Sequence, residues 1–205
     1  MSSTSPAVPT GNTYDKYGST NPVVRRLMAG FERTLDELFT LAAPATVLDV
    51  GCGEGVLSEQ WARRLTGGRV VGIDLADPKL EAEWAGRTQP NLEFRVMTGE
   101  RIDYADGEFD LVAATEVLEH VQDPAVVLAE MARVAGSHLL VSVPHEPLWR
   151  ALNVARGAYL RQLGNTPGHL NHWTRRSFLA LLGRYGTVSE VRSPFPWTML
   201  LVRMP

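Results

Sequence analysis

The chain is poor in cysteine, in net charge and in long apolar runs, and each shortage narrows what it can be. One cysteine among 205 residues, Cys52, excludes an internal disulfide and points to a reducing compartment, the cytoplasm. Twenty Lys and Arg stand against 23 Asp and Glu, a net charge of -3. With no basic run, bulk electrostatics give no pull toward nucleic acid. No apolar stretch has the length that spanning a bilayer requires. Trp197-Thr-Met-Leu-Leu-Val202 is far too short and fits a closing strand. Residues 1–13, rich in Ser, Thr, Pro and Gly, have neither a basic start nor an apolar centre. They are expected to form a flexible tail, not a signal peptide.

What is present is an ordinary globular composition, 44% hydrophobic and 21% charged, in a chain long enough for one domain with a substantial core. Residues 14–205 are read as that domain. Its first part, 14–43, is a helical cap in which Leu27, Phe31, Leu35, Leu38 and Phe39 recur at helical spacing. Strand-like runs at Val47–Val50, Arg69–Asp74, Leu92–Met97, Phe109–Thr115 and Leu139–Val143 alternate with helical patterns at Leu57–Leu65, Pro78–Gly86 and Pro124–Val134. Such alternation implies parallel βαβ units, an α/β doubly wound sheet. A further helix is expected at Arg175–Tyr185. Thr187–Arg192 and Thr198–Arg203 follow as two closing strands. Between them and the fifth strand lies an insert, about 145–173, whose Leu148, Leu152, Ala155, Tyr159 and Leu163 share one helical face. It is read as a lid.

The first strand ends in Asp49-Val-Gly51-Cys52-Gly53-Glu-Gly55-Val56, three glycines at alternate positions before a helix. Glycine serves where the backbone bends sharply and a ligand comes close. Asp74 closes the second strand, where an acid can accept hydrogen bonds from both ribose hydroxyls of a nucleoside. An adenosine-like cofactor is therefore expected. Dinucleotide folds carry a third glycine where Val56 stands, so that helix and strand approach closely at the pyrophosphate. Val56 argues against NAD.

The string resembles motif I of the class I S-adenosylmethionine-dependent methyltransferases, and the resemblance runs on through Phe109-Asp-Leu-Val and Glu116-Val-Leu-Glu-His120. It implies a mostly parallel, seven-stranded sheet. It implies S-adenosyl-L-methionine as cofactor and S-adenosyl-L-homocysteine as product. The residues it points to are Asp49, Gly51, Cys52, Gly53 and Gly55 in the glycine turn, then Asp74 and Leu75. Thr98, Gly99, Glu100 and Arg101 would flank the adenine. Thr115, Glu116 and His120 follow the fourth strand, and Tyr17 would lie in a cover segment. Many relatives carry an aspartate at the place of Thr98.

Methyl transfer from a sulfonium is an in-line displacement that needs alignment and, for an oxygen or amine acceptor, removal of a proton. His145, after the fifth strand, and His169 are the candidates for that base. Glu116, Glu119 and His120 read as possible divalent-metal ligands within one helical turn, and the resemblance adds His169, ahead of Trp173-Thr-Arg175. The expected reaction is methylation of a small, possibly apolar molecule, most simply at oxygen, without nucleic acid or stable membrane insertion. A metal-dependent RNA-end 2′-O-methyltransferase and a non-catalytic cofactor-binding protein are the rivals.

Overall fold

The computed structural model describes residues 20–155, 157, 162–166 and 168–205. Tyr17, the 1–13 tail and Tyr159 lie outside them.

Helix α1 (Pro22–Ala42) starts where the Asn21 side chain accepts the Val23 N–H, with Pro22 in the first turn. It ends at Ala43 in the left-handed region. Met28, Phe31, Leu35, Leu38 and Phe39 bury its inner stripe. Then come β1 (Thr46–Val50), α2 (Val56–Arg64), β2 (Arg69–Asp74), α3 (Pro78–Ala85), β3 (Leu92–Val96) and β4 (Phe109–Thr115). The chain continues with α4 (Pro124–Val134), β5 (Ala135–Pro144), α5 (Leu148–Ala155), α6 (Arg175–Leu182), β6 (Thr187–Arg192) and β7 (Trp197–Arg203). Asp77 and Asp123 cap α3 and α4 through their side chains, and Thr174 with Ser177 forms a capping box on α6.

The seven strands lie in the order β3-β2-β1-β4-β5-β7-β6. β1 to β5 are parallel, and β7 runs antiparallel to both β5 and β6. Neighbouring residues along a strand point to opposite faces. Leu48, Val71 and Val112 join the core beneath α4 and α6, while Val47, Val70 and Leu111 join the core beneath α1 and α2. Both faces are covered, which is why these strands read as continuous apolar runs. Chain order reverses between β1 and β4, and a crevice opens there at the strands' C-terminal ends. No helix among the described residues is long and apolar enough to cross a membrane.

Four local expectations are corrected. β5 begins at Ala135, directly after α4, because Ala135 already has extended backbone; His138 therefore lies inside the strand, opposite Arg203. α6 stops at Leu182, since Gly183 caps it through its N–H on Leu179 O. Glu116–His120 is not a helical turn: Glu116 has φ 60, which breaks a right-handed helix at its first residue. Leu163 is not on the face of α5 but in a turn, at φ 50 and 72% exposed.

Candidate active site

The glycine turn is tied to the second strand. Gly51 N–H and Cys52 N–H both donate to Ile73 O, at 2.8 and 3.1 Å. Gly51, Gly53 and Gly55 have φ 69, 54 and 78, a left-handed conformation that a side chain makes costly. The three differ in what surrounds them. A Cβ on Gly53 would meet nothing within 4 Å, and Gly53 lines the cleft. A Cβ on Gly55 would lie 2.5 Å from Phe94 Cζ. Gly55 is thus a packing glycine where α2 meets β3, and it does not line the cleft, against expectation.

Asp74 is held in place by backbone. Its Oδ2 accepts Gly53 N–H at 2.7 Å and its Oδ1 accepts Leu75 N–H at 2.7 Å. Each carboxylate oxygen can accept twice, so both retain capacity for a pair of hydroxyls. Burial pushes its pKa up, against the pull of these two N–H groups. Trp84 Nε1 donates to Gly53 O at 2.8 Å and its ring stacks on Phe94, which fixes the turn from behind.

One cleft of about 1100 Å³ runs from this turn to α5 and the start of β7. Gly51, Cys52, Gly53, Asp74, Leu75, Thr98, Gly99, Glu100, Thr115, Glu116, His120 and His169 line it. Thr98 Oγ1 accepts Glu100 N–H, so this side chain shapes the turn itself. Glu116 is anchored by Trp197 Nε1 on Oε2 at 2.7 Å. Burial raises the pKa of the Cys52 thiol well above its usual range, which keeps it neutral.

Three more predicted residues do not line the cleft. Asp49 is 1% exposed and faces α2, where its Oδ2 accepts Ser58 Oγ–H at 2.6 Å; its Oδ1 has no partner among the described residues. Burial pushes it up to about 7. Arg101 is exposed. His145 leaves β5 with its Nδ1 on Thr198 Oγ1 at 3.2 Å and its N–H on Pro196 O, so its ring faces the strand pair and not the cleft.

His169 does face the cleft, 9% exposed. Its ring meets His120 edge-on, centroids 4.9 Å apart, and stacks near Trp149. The pairing arises from a backbone link. Leu170 and Asn171 N–H both donate to Glu119 O, and Asn171 Nδ2 donates to Leu118 O and Val121 O. The end of the insert is thereby sewn onto the loop after β4. His120 Nδ1 lies 2.9 Å from Gly168 O. A carbonyl only accepts, so Nδ1 carries the proton, and in the neutral ring Nε2 is the acceptor nitrogen. Ligand atoms of Glu119, His120 and His169 lie within 4.8 Å of one another, a set able to take a divalent ion. Glu116 is not in that set.

The far half of the cleft was missed in the sequence: Phe31 from α1, Trp149 and Asn153 from α5, Thr166, and Trp197. Trp149 and Asn153 are four apart and so share a helix face, a signal that the Leu148–Leu152 stripe masked.

Comparison with known proteins accords with this geometry. A family profile described as "Methyltransferase domain" matches residues 48–139. A ubiquinone biosynthesis O-methyltransferase of Hahella chejuensis is 49% identical over 101 residues, 47% of this chain and 42% of that protein. One of Stutzerimonas stutzeri is 32% identical over 163 residues, 72% of this chain and 69% of that protein. The matched segment thus spans from under half to about two thirds of these relatives. In fold, the chain superimposes on magnesium protoporphyrin IX methyltransferase from Synechocystis with bound S-adenosylhomocysteine, at TM-score 0.65 and 19% identity, over 92% of this chain and 90% of that one. The chain belongs to the class I S-adenosylmethionine-dependent methyltransferases.

Proposed function

We propose that this chain methylates an oxygen of a small, largely apolar acceptor, with the cofactor in the Asp74 half of the cleft and the acceptor in the Trp149–Trp197 half. One observation carries the reading. The Gly53–Asp74 cradle and the His120–His169 pair open onto the same cavity. The cofactor, when bound, supplies an electrophilic methyl group on a sulfonium.

The chain's own residues then have definite tasks. Asp74 holds two hydroxyls with lone pairs that Gly53 and Leu75 leave over. Gly53 admits the ligand against bare backbone. Phe31, Trp149 and Trp197 close the acceptor half with apolar surface and exclude water. His169 takes the acceptor's hydroxyl proton as the oxygen attacks. His169 replaces His145 as the base in this reading, because only its ring reaches the cleft. The relatives' names, O-methyltransferases, support oxygen as the acceptor atom. The net charge of -3 and the apolar lining support a small molecule over RNA.

A second reading puts a divalent ion at Glu119, His120 and His169 in place of His169 as the base, favoured by their mutual distances. The ion would orient the acceptor's oxygens and lower the cost of deprotonation.

The test is to incubate the protein with S-adenosylmethionine and a panel of small phenols and hydroxylated metabolites, reading a one-methyl mass gain. Gain on an oxygen of a phenol supports the proposal. Gain only on amines or RNA, or none on any compound despite cofactor binding, overturns it. Loss on adding EDTA and recovery with magnesium identify the ion-assisted form.

A further inference from the structure

We infer that Thr166 is a forced hydrogen-bond donor at the acceptor end of the cleft. It selects acceptors that carry a second oxygen with a free lone pair, such as a carbonyl or ether. The inference rests on the proposed function for where the acceptor lies.

A threonine hydroxyl has one proton to give and two lone pairs to receive. Both lone pairs of Thr166 Oγ1 are taken. Trp149 Nε1, which can only donate, lies at 3.0 Å. Asn153 Nδ2 lies at 3.1 Å. The amide cannot be turned the other way. Its nitrogen also donates to Gly164 O at 2.8 Å, and a flipped amide would set two carbonyl oxygens against each other. The Thr166 proton therefore has to leave along the remaining direction. No acceptor for it is present among the described residues, and Thr166 lines the cleft.

The cost of the arrangement indicates its purpose. Asn153 is 3% exposed, a buried amide in a helix that aliphatic residues would fill more cheaply. It and Trp149 stand one turn apart on α5, so one helix face supplies both donors. The threonine sits beside the proposed base, because His169 N–H donates to Thr166 O at 3.1 Å. A ligand that presents a second donor here would set donor against donor. A ligand with no polar atom would leave the hydroxyl proton unmet.

The experiment compares ortho-methoxyphenol with ortho-ethylphenol, in which a methylene replaces the ether oxygen at nearly equal size. Their dissociation constants are measured by protein-observed NMR with S-adenosylhomocysteine present to fill the cofactor half. The wild type should prefer the methoxy compound by roughly tenfold, the worth of one well-placed hydrogen bond. Thr166→Val should abolish the preference and Thr166→Ser should keep it. The wild-type comparison needs no variant, so poor folding of Thr166→Val leaves the test intact. Equal binding of the two phenols, binding of neither, or a preference that survives in folded Thr166→Val overturns the inference. Methyl transfer to ortho-methoxyphenol is followed separately. Preferential binding without transfer counts against the proposed function alone, and transfer without preference counts against Thr166 alone.

Discussion

Alanine at Gly53 and alanine at Gly55 are the same chemical change two residues apart, with opposite expected outcomes. At Gly55 the backbone sits at φ 78, and holding alanine in that region costs roughly 1–2 kcal/mol. The added Cβ would lie 2.5 Å from Phe94 Cζ and 2.6 Å from Cε1. The Phe94 ring is stacked on Trp84, which in turn holds Gly53 O, so it cannot retreat freely. Overpacking of this kind adds roughly 1–3 kcal/mol. The expected loss for Gly55→Ala is about 3 kcal/mol, which lowers Tm by about 6–12 °C in a chain of this size. At Gly53 the backbone cost is similar, but open space removes the packing cost. Gly53→Ala should therefore lose only about 1–2 kcal/mol and stay folded, well short of the Gly55→Ala loss. Its methyl group instead enters the cleft where the ligand must approach, and affinity for S-adenosylhomocysteine should fall by about tenfold or more. Urea denaturation and titration calorimetry on the two variants read both quantities. A stable Gly55→Ala, or a Gly53→Ala that binds like the wild type, refutes the division of the turn into a packing glycine and a ligand-facing glycine.

Asp49 gives a pH signature. The folded chain keeps its proton up to about pH 7, whereas the unfolded chain releases it near 3.8. Its contribution is therefore full below pH 3.8 and is lost as pH rises through 7, by at most about 4 kcal/mol at 1.4 kcal/mol per unit. Urea denaturation across that window should show stability falling with pH in the wild type and a flatter profile in Asp49→Asn; identical profiles would contradict the buried neutral acid. His169→Gln should lower kcat by roughly 10²–10⁴-fold with little change in cofactor affinity, whereas His145→Gln should leave kcat near the wild-type value. Steady-state kinetics on the acceptor found in the phenol screen decide it, and the reverse pattern would return the base to His145.

Much of the sheet was legible because both of its faces are covered. Buried parallel strands read as unbroken apolar runs, and β2 and β4 fall at the predicted boundaries. The cofactor half was legible for a related reason. Left-handed glycines and a strand-end acid are local features, written in consecutive residues around Gly53 and Asp74. The failures are those of direction and of distance. Asp49 stands in the right string, but strand alternation aims it at Ser58 and away from the cleft. Glu116 and Glu119 read as one helical turn, yet the left-handed backbone of Glu116 sends them apart, toward Trp197 and toward the His120–His169 pair. The acceptor half depends on contacts between α5, Thr166 and β7, far apart in the chain. Nothing in the spacing announces that Trp149 and Asn153 converge on Thr166.

The central claim is that the Asp74 carboxylate, aimed by Gly53 and Leu75, grips the sugar of the methyl donor. Titration calorimetry of S-adenosylhomocysteine into the wild type and Asp74→Ala tests it most directly. The wild type should bind at one site per chain, and the variant should lose roughly 1–3 kcal/mol of binding free energy with its fold intact. Equal affinity in a folded Asp74→Ala, or no binding to the wild type at all, would contradict the account.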